Sequence, residues 1–158
     1  MAIHRATKRA VGDVRPPMQR PPSRPPIPRG AKVLAAIELI TGAMALVGGV
    51  LLAIRPDGSL LNANPAALRD SPFPDYRWPG ILLAGLVGGG FLIVGLWVLR
   101  AGRAAAELSI VAGIGLVVFE VAERFWLGFQ VLEVVFVLVG GAVIGLALRV
   151  MRSERSRP

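Results

Sequence analysis

The sequence contains no cysteine and only one histidine among its 158 residues. Without cysteine, a disulfide bond, thiol catalysis or a thiolate metal site is impossible. The histidine, His4, lies in a basic segment where no neighbouring group would fix an isolated imidazole for a specific role. The remaining residues form no constellation of a nucleophile with a base and no set of metal ligands. We therefore predict that the protein is not an enzyme and that it uses no metal and no cofactor.

Aromatic residues are also scarce, at 6% of the chain, and none lies among the basic residues of positions 1–31. Nucleic acid is therefore not expected as a partner. Seven of the fourteen residues at 16–29 are proline, which lacks a backbone donor and fixes φ. We predict a disordered, proline-rich cytoplasmic tail over 1–31. It either tethers a partner or contacts anionic lipid headgroups, or it is a solvated leader that only orients the first helix.

Apolar residues make up 54% of the chain and are gathered into four long runs. A helix needs about 20 residues, at 1.5 Å each, to cross the hydrocarbon core of a bilayer, and all four runs reach this length. They predict an all-α integral membrane domain over 32–150, folded as a four-helix bundle. The predicted spans are 32–54, 80–99, 104–127 and 131–150, with an outer loop over 55–79 and a basic C-terminus over 151–158.

The 18 lysine and arginine residues are divided unevenly between the two sides of this topology. Fourteen of them precede the first run, lie between the second and third runs, or close the fourth. The other side keeps only Arg55, Arg69, Arg77 and Arg124. Basic residues are retained in the cytoplasm during insertion, so we predict a multi-pass protein of the cell (plasma) membrane with both termini cytoplasmic.

The outer loop carries turn and cap signals. Pro56 and the following Asp57-Gly58 are predicted to end the first helix, because proline stops a helix and Asp-Gly favours a turn. Asn64-Pro65 is typical of an N-cap and a first helical position, so a short helix is expected there. The rings of the proline-stiffened segment 71–79 suit the headgroup zone of a membrane.

This loop also carries a resemblance. The run Ser71-Pro72-Phe73-Pro74-Asp75-Tyr76 is followed by Pro79-Gly80 at a helix start and by Gly88-Gly89-Gly90 within the helix. Over about 33–150 the chain is similar to a group of uncharacterised small four-span membrane proteins of high-GC Gram-positive bacteria. The resemblance implies a shaped outer loop close to the membrane surface. It implies no activity and no catalytic or binding residue.

Charged residues gather at the outer end of the third and fourth spans. Glu120 and Arg124 are four residues apart with the acid first, the favoured order for a helical ion pair. Glu133 lies just across the turn, and a planar guanidinium can donate to two carboxylates. The cluster of Glu120, Glu123, Arg124 and Glu133 is either a structural clamp, a site that handles protons or cations, or simply exposed at the membrane interface.

Two further acids, Glu38 and Glu107, belong to the inner halves of the first and third spans. A charge at the bilayer centre costs about 2.5–3.5 kcal/mol, so such groups usually face protein or water. A glutamate in the first helix of a small four-helix protein resembles the proton-coupled site of the small multidrug-resistance exporters. The strong charge bias, the long outer loop and the extra acids of the last two spans oppose that carry-over.

Glycines mark candidate helix-packing faces. Gly85 and Gly89, and likewise Gly141 and Gly145, are four residues apart and so share one face of a helix. Without Cβ atoms two helix backbones can approach closely. These faces serve either packing within the four-helix unit or contact with another subunit. The glycines at 88–90 are not a phosphate-binding loop, because no lysine follows and the setting is a hydrophobic helix.

These patterns favour a non-catalytic accessory or scaffold subunit that packs against other membrane proteins through its glycine faces. The expected partners are the bilayer, with anionic headgroups at the basic tails, and other membrane subunits or a second copy of the chain. The alternative is a small transporter or a proton or ion pathway that uses the intramembrane glutamates.

Overall fold

The computed structural model describes residues 27–101, 103–127 and 131–155. These residues form helices, turns and loops, and no β-strand occurs among them. In this described part of the chain, four helices are long and apolar enough to cross a membrane: Arg29–Ile54, Arg77–Ala101, Ala105–Arg124 and Val134–Ser153. The prediction of an all-α protein with four membrane-spanning helices is confirmed. Positions 1–26 of the predicted proline-rich tail lie outside the described residues.

The first span is α1 (Arg29–Ile54), and it begins directly after the last proline of the proline-rich segment, Pro28. The second span has three parts: α2 (Arg77–Leu82), a π-helix (Leu83–Gly89) and α3 (Gly90–Ala101). The third and fourth spans lie within α4 (Arg103–Leu127) and α5 (Val131–Arg155). The π-helix coincides with a glycine-rich stretch and was not predicted from the sequence.

The spans pack in a ring. All three parts of the second span contact α1, α3 contacts α4, α4 contacts α5, and α5 returns to α1. We call the end where α1 begins and α5 ends the basic end, and the opposite end, with the loop between α1 and α2, the loop end. The larger apolar side chains of the described core are Leu34, Val87, Phe91, Val98, Leu116, Val143 and Val150.

Glycines allow the backbones of α1 and the second span to come into direct contact. A Cβ atom added at Gly49 would lie 2.5 Å from both the amide nitrogen of Ala84 and the carbonyl oxygen of Gly80. One added at Gly88 would lie 2.7 Å from the amide nitrogen of Leu46. In lipid, where apolar side chains gain little by leaving one apolar medium for another, this close backbone packing is a main source of helix association. The bundle is therefore tightest between its first two spans.

The loop at the loop end is folded rather than extended. Gly58 has a φ of 76°, in the left-handed region that suits glycine. Asn64 accepts a hydrogen bond from the amide of Ala66 at 2.9 Å and caps a 3₁₀-helix, Pro65–Leu68. The short helix predicted from Asn64-Pro65 is confirmed. Tyr76 closes the loop, because its amide donates to the Pro56 carbonyl at 2.9 Å and its hydroxyl donates to the Asn64 carbonyl at 2.7 Å.

Tyr76 gives a direct test of this loop, because it is the single tyrosine of the chain. Burial raises the pKa of its hydroxyl above the usual 10.0, and the nearby carboxylate of Glu123 raises it further. Because the pKa of Tyr76 is higher in the folded loop than in the unfolded chain, the neutral hydroxyl contributes to the stability of the loop. This contribution is fully present below pH 10.0 and is lost as the pH rises through the pKa of the folded loop. Tyrosinate absorbance is therefore expected to develop only above pH 10.0 in the folded protein.

The matched variants are Tyr76→Phe, which removes the signal, and Gly58→Ala. An alanine at Gly58 would take up a left-handed conformation that costs about 1–2 kcal/mol, and its Cβ would lie 2.9 Å from that of Ala63. Loosening of the loop should return the titration of Tyr76 towards the free-tyrosine value. An unshifted titration in the wild-type chain would contradict the folded loop.

Candidate functional site

The most unusual polar group of the bundle is the carboxyl group of Glu38. It lies on α1, nine residues after the helix begins, which corresponds to about 14 Å along the helix axis. The side chain is 0% exposed. Gly95 of α3 packs against it, since a Cβ added at Gly95 would lie 3.1 Å from the Cβ of Glu38. Ser109, which faces it from α4, is also fully buried.

The two carboxyl oxygens of Glu38 are buried beside the hydroxyl of Ser109. Neither oxygen has a hydrogen-bond partner among the described residues. The hydroxyl of Ser109 is the polar group beside them, but it donates to the carbonyl oxygen of Ala105 on its own helix, at 3.3 Å. Rotation of that hydroxyl would let it donate to Glu38 instead. Ser109 is therefore positioned to change its hydrogen-bond acceptor when the protonation of the Glu38 carboxyl group changes.

Charge compensation is also missing from the described surroundings of Glu38. The described lysine and arginine side chains at the basic end, such as Lys32, Arg100 and Arg149, are all exposed. Glu107, predicted to lie in the inner half of its span like Glu38, is exposed as well. An ionised carboxylate buried without a partner costs several kcal/mol. The surroundings of Glu38 suit the neutral, protonated carboxyl group. The ionised carboxylate would need a rearrangement of the helices that brings it a partner or water.

The outer charged cluster is only partly described. Glu120 is buried, with 4% of its side chain exposed, Glu123 is half-buried and Arg124 is exposed. Each of these three has an interaction partner. The side chain of Glu133 lies outside the described part of the structure. The predicted clamp that joins Glu120, Arg124 and Glu133 stays a prediction.

The predicted glycine faces do not contact the other described helices. Cβ atoms added at Gly85, Gly141 or Gly145 would meet nothing within 4 Å, and one at Gly89 would meet only Ala84 of its own helix. Packing within the bundle uses other glycines instead: Gly42, Gly49, Gly80, Gly88, Gly95, Gly113 and Gly140. None of the four predicted glycines therefore contacts another described helix, as packing inside the bundle would require. Their contact with another subunit stays a prediction.

Sequence reasoning named Glu38 but missed the residues that surround it. Ser109 is a lone hydroxyl in the third apolar run, which is a signal that could have been used. Gly95 gave no signal, because it belongs to no spaced pair among the predicted faces. The described residues contain no group of three or more histidine, aspartate or glutamate side chains that could hold a metal ion.

The four described helices have the length and apolar composition to cross a membrane, which fits a multi-pass membrane protein. Comparisons with protein-family models, with curated proteins and with solved structures gave no match.

Proposed function

We propose that the protein takes up and releases a proton at Glu38 and thereby forms part of a proton pathway, or drives a proton-coupled step, within the membrane. The single observation that supports this most is the complete burial of a carboxyl group whose two oxygens have no hydrogen-bond partner among the described residues. An ionisable residue inside a membrane domain is costly, and ion pathways and proton relays are among the functions that such residues serve.

A purely structural role would predict a different environment. Buried polar side chains that serve only stability are nearly always hydrogen-bonded, whereas among the described residues only the Ser109 hydroxyl lies beside the oxygens of Glu38, and it donates to Ala105. Glu38 lies on α1 and faces α3 and α4, so a change in its protonation would affect the contacts between these three helices. Deprotonation would introduce a charge at the Gly95 and Ser109 contacts, so those helices would have to separate or admit water. This coupling is what a proton-driven conformational step requires.

Reconstitution into liposomes that contain a pH-sensitive dye tests the proposal. An imposed pH gradient or membrane potential should drive a proton flux in the wild-type chain, and Glu38→Gln should abolish it. The matched control is Glu107→Gln, because Glu107 also belongs to the basic half of the bundle but is exposed. A Glu38→Gln protein with wild-type flux, or a wild-type protein without flux under any gradient, would sink the proposal.

A second candidate function is the accessory or scaffold subunit that the sequence favoured. The observation in its favour is the outward face of α5 at Gly141 and Gly145, which nothing in the described chain covers. Small residues on such a face allow a second helix to pack closely. Co-purification in mild detergent should recover a partner or a second copy, and Gly141→Leu or Gly145→Leu should release it.

The matched control for this test is Gly115→Leu, because Gly115 is an exposed glycine of α4 whose added Cβ would also meet nothing in the described chain within 4 Å. It should leave the association intact. Recovery of the wild-type protein only as an isolated monomer would argue decisively against the accessory role.

The orientation also belongs to this proposal. We place both termini in the cytoplasm of a cell bounded by a plasma membrane, with the basic tails against anionic headgroups, because basic residues are retained on that side. The cysteine-free chain allows single cysteines at Ala10 and Asp70 to be labelled with an impermeant thiol reagent. They should react from opposite sides of the membrane, and reaction from one side would refute this topology. Kinship with the small four-span group and the absence of enzymatic activity remain proposals.

A further inference from the structure

The second span contacts the first span along its whole length but contacts the third span mainly at the basic end. Its basic-end part, α3, packs against both α1 and α4, whereas α2 and the π-helix pack against α1 and make little contact with the described part of α4. The close glycine contacts explain the difference, because Gly49 of α1 lies at backbone distance from Gly80 and Ala84. The second and third spans therefore separate towards the loop end.

A crevice of about 190 Å³ occupies the gap between them. Leu82 and Leu86 line it from the second span, and Phe119 and Ala122 line it from α4. The surface that lines it is apolar throughout, even where Glu123 contributes to its wall. Leu82 is 42% exposed and Leu86 is 66% exposed, so the crevice opens sideways, onto the same surface that the spans present to lipid.

The loop forms one wall of the crevice through Ser71 and Phe73, and Pro79 of α2 lines the crevice beside them. The hydroxyl of Ser71 donates to the carbonyl oxygen of Leu68 at 2.9 Å and accepts from the amide of Phe73 at 3.2 Å. These bonds hold Phe73 over the gap. The crevice is thus closed towards the loop and open towards the side of the bundle.

We propose that this crevice binds one acyl chain of a membrane lipid, which enters from the leaflet at the loop end. Three features identify the occupant. The lining offers no polar surface, the opening is continuous with the lipid-facing side of Leu82 and Leu86, and the volume lies below the 300–1,000 Å³ typical of sites for drug-sized ligands. An unfilled gap between helices also loses the dispersion contacts that a chain would restore.

The site can be tested with a phospholipid that carries a photoreactive diazirine on its acyl chain, using the full-length protein in vesicles. Mass spectrometry of the cross-linked peptides should find the label concentrated at 82–86 and 119–122. Ala122→Trp places an indole in the crevice and should remove most of that label. Val121→Trp is the matched control, because Val121 is the adjacent residue, is 48% exposed and does not line the crevice.

Ala122→Leu is a smaller filling variant for the case that the indole disturbs folding, and size-exclusion elution identifies folded variants. Either folded variant should lower the label at both segments while the Val121→Trp protein keeps it. Label spread evenly over the four spans, label unchanged in both Ala122 variants, or cross-links from this crevice to a second polypeptide instead of lipid would each overturn the proposal. Its outcome is independent of proton flux through Glu38.

Discussion

Alanine in place of Gly49 is expected to destabilise the protein by about 1–3 kcal/mol, the usual range for overpacking a well-packed core. The added methyl group would lie 2.5 Å from the Ala84 nitrogen and the Gly80 oxygen, which are backbone atoms of the second span. A flexible side chain could turn away, but a helix backbone cannot, so the two spans must separate. We expect the effect to fall towards the upper end of that range.

Gly48 supplies the matched control. It is the neighbouring residue on the same helix, yet a Cβ added there would meet no atom of the described chain within 4 Å. Because alanine is favoured over glycine in a helix interior by about 1 kcal/mol, Gly48→Ala should be neutral or stabilising. Unfolding of both variants in mixed micelles of a mild detergent and SDS measures the difference. Equal stabilities would show that α1 and the second span do not meet at Gly49.

Leucine in place of Glu38 is expected to stabilise the protein while it removes the proton flux. Leaving a buried polar group without a partner costs about 1–3 kcal/mol, and leucine fills a similar volume without that cost. The stabilisation should therefore approach this range in the same unfolding assay. A residue that is retained although it lowers the stability of the protein is expected to serve a function.

Glu107→Leu is the control for this second variant. Glu107 is exposed, so its replacement should change the free energy of unfolding by no more than about 0.5 kcal/mol. A Glu38→Leu protein that is clearly less stable than the wild type would mean that the carboxyl group has partners in the folded protein. The structural interpretation of Glu38 would then be preferred over proton uptake.

The behaviour of individual residues shows how far sequence reasoning reached. Asn64-Pro65 was interpreted correctly, because capping depends on the side chain of one residue and the amide two positions later. Glu38 and Glu107 were grouped together, since both belong to the inner halves of their spans. The structure buries the first and exposes the second, and the difference comes from which way each helix faces its neighbours.

The glycines show the same limit. The spacing of Gly141 and Gly145 correctly places them on one face, but it does not show whether that face points inwards. The glycines that bring helices together, such as Gly49 and Gly88, have partners on another helix far away in the sequence. The π-helix of the second span contains Gly88, which makes one of these contacts, and lines the crevice through Leu86.

The sequence by itself determined the four apolar helices, the turn at Pro56 to Gly58 and the absence of thiol chemistry. A helix satisfies its own backbone hydrogen bonds, so the length and polarity of each run are sufficient to specify a span. Only the tertiary structure decided how each helix is rotated about its axis, and hence that Glu38 is enclosed and that the second and third spans part at the loop end. A membrane helix is apolar on nearly every side, so its sequence has no polar stripe to mark the outer face, and close packing against its neighbours makes that choice.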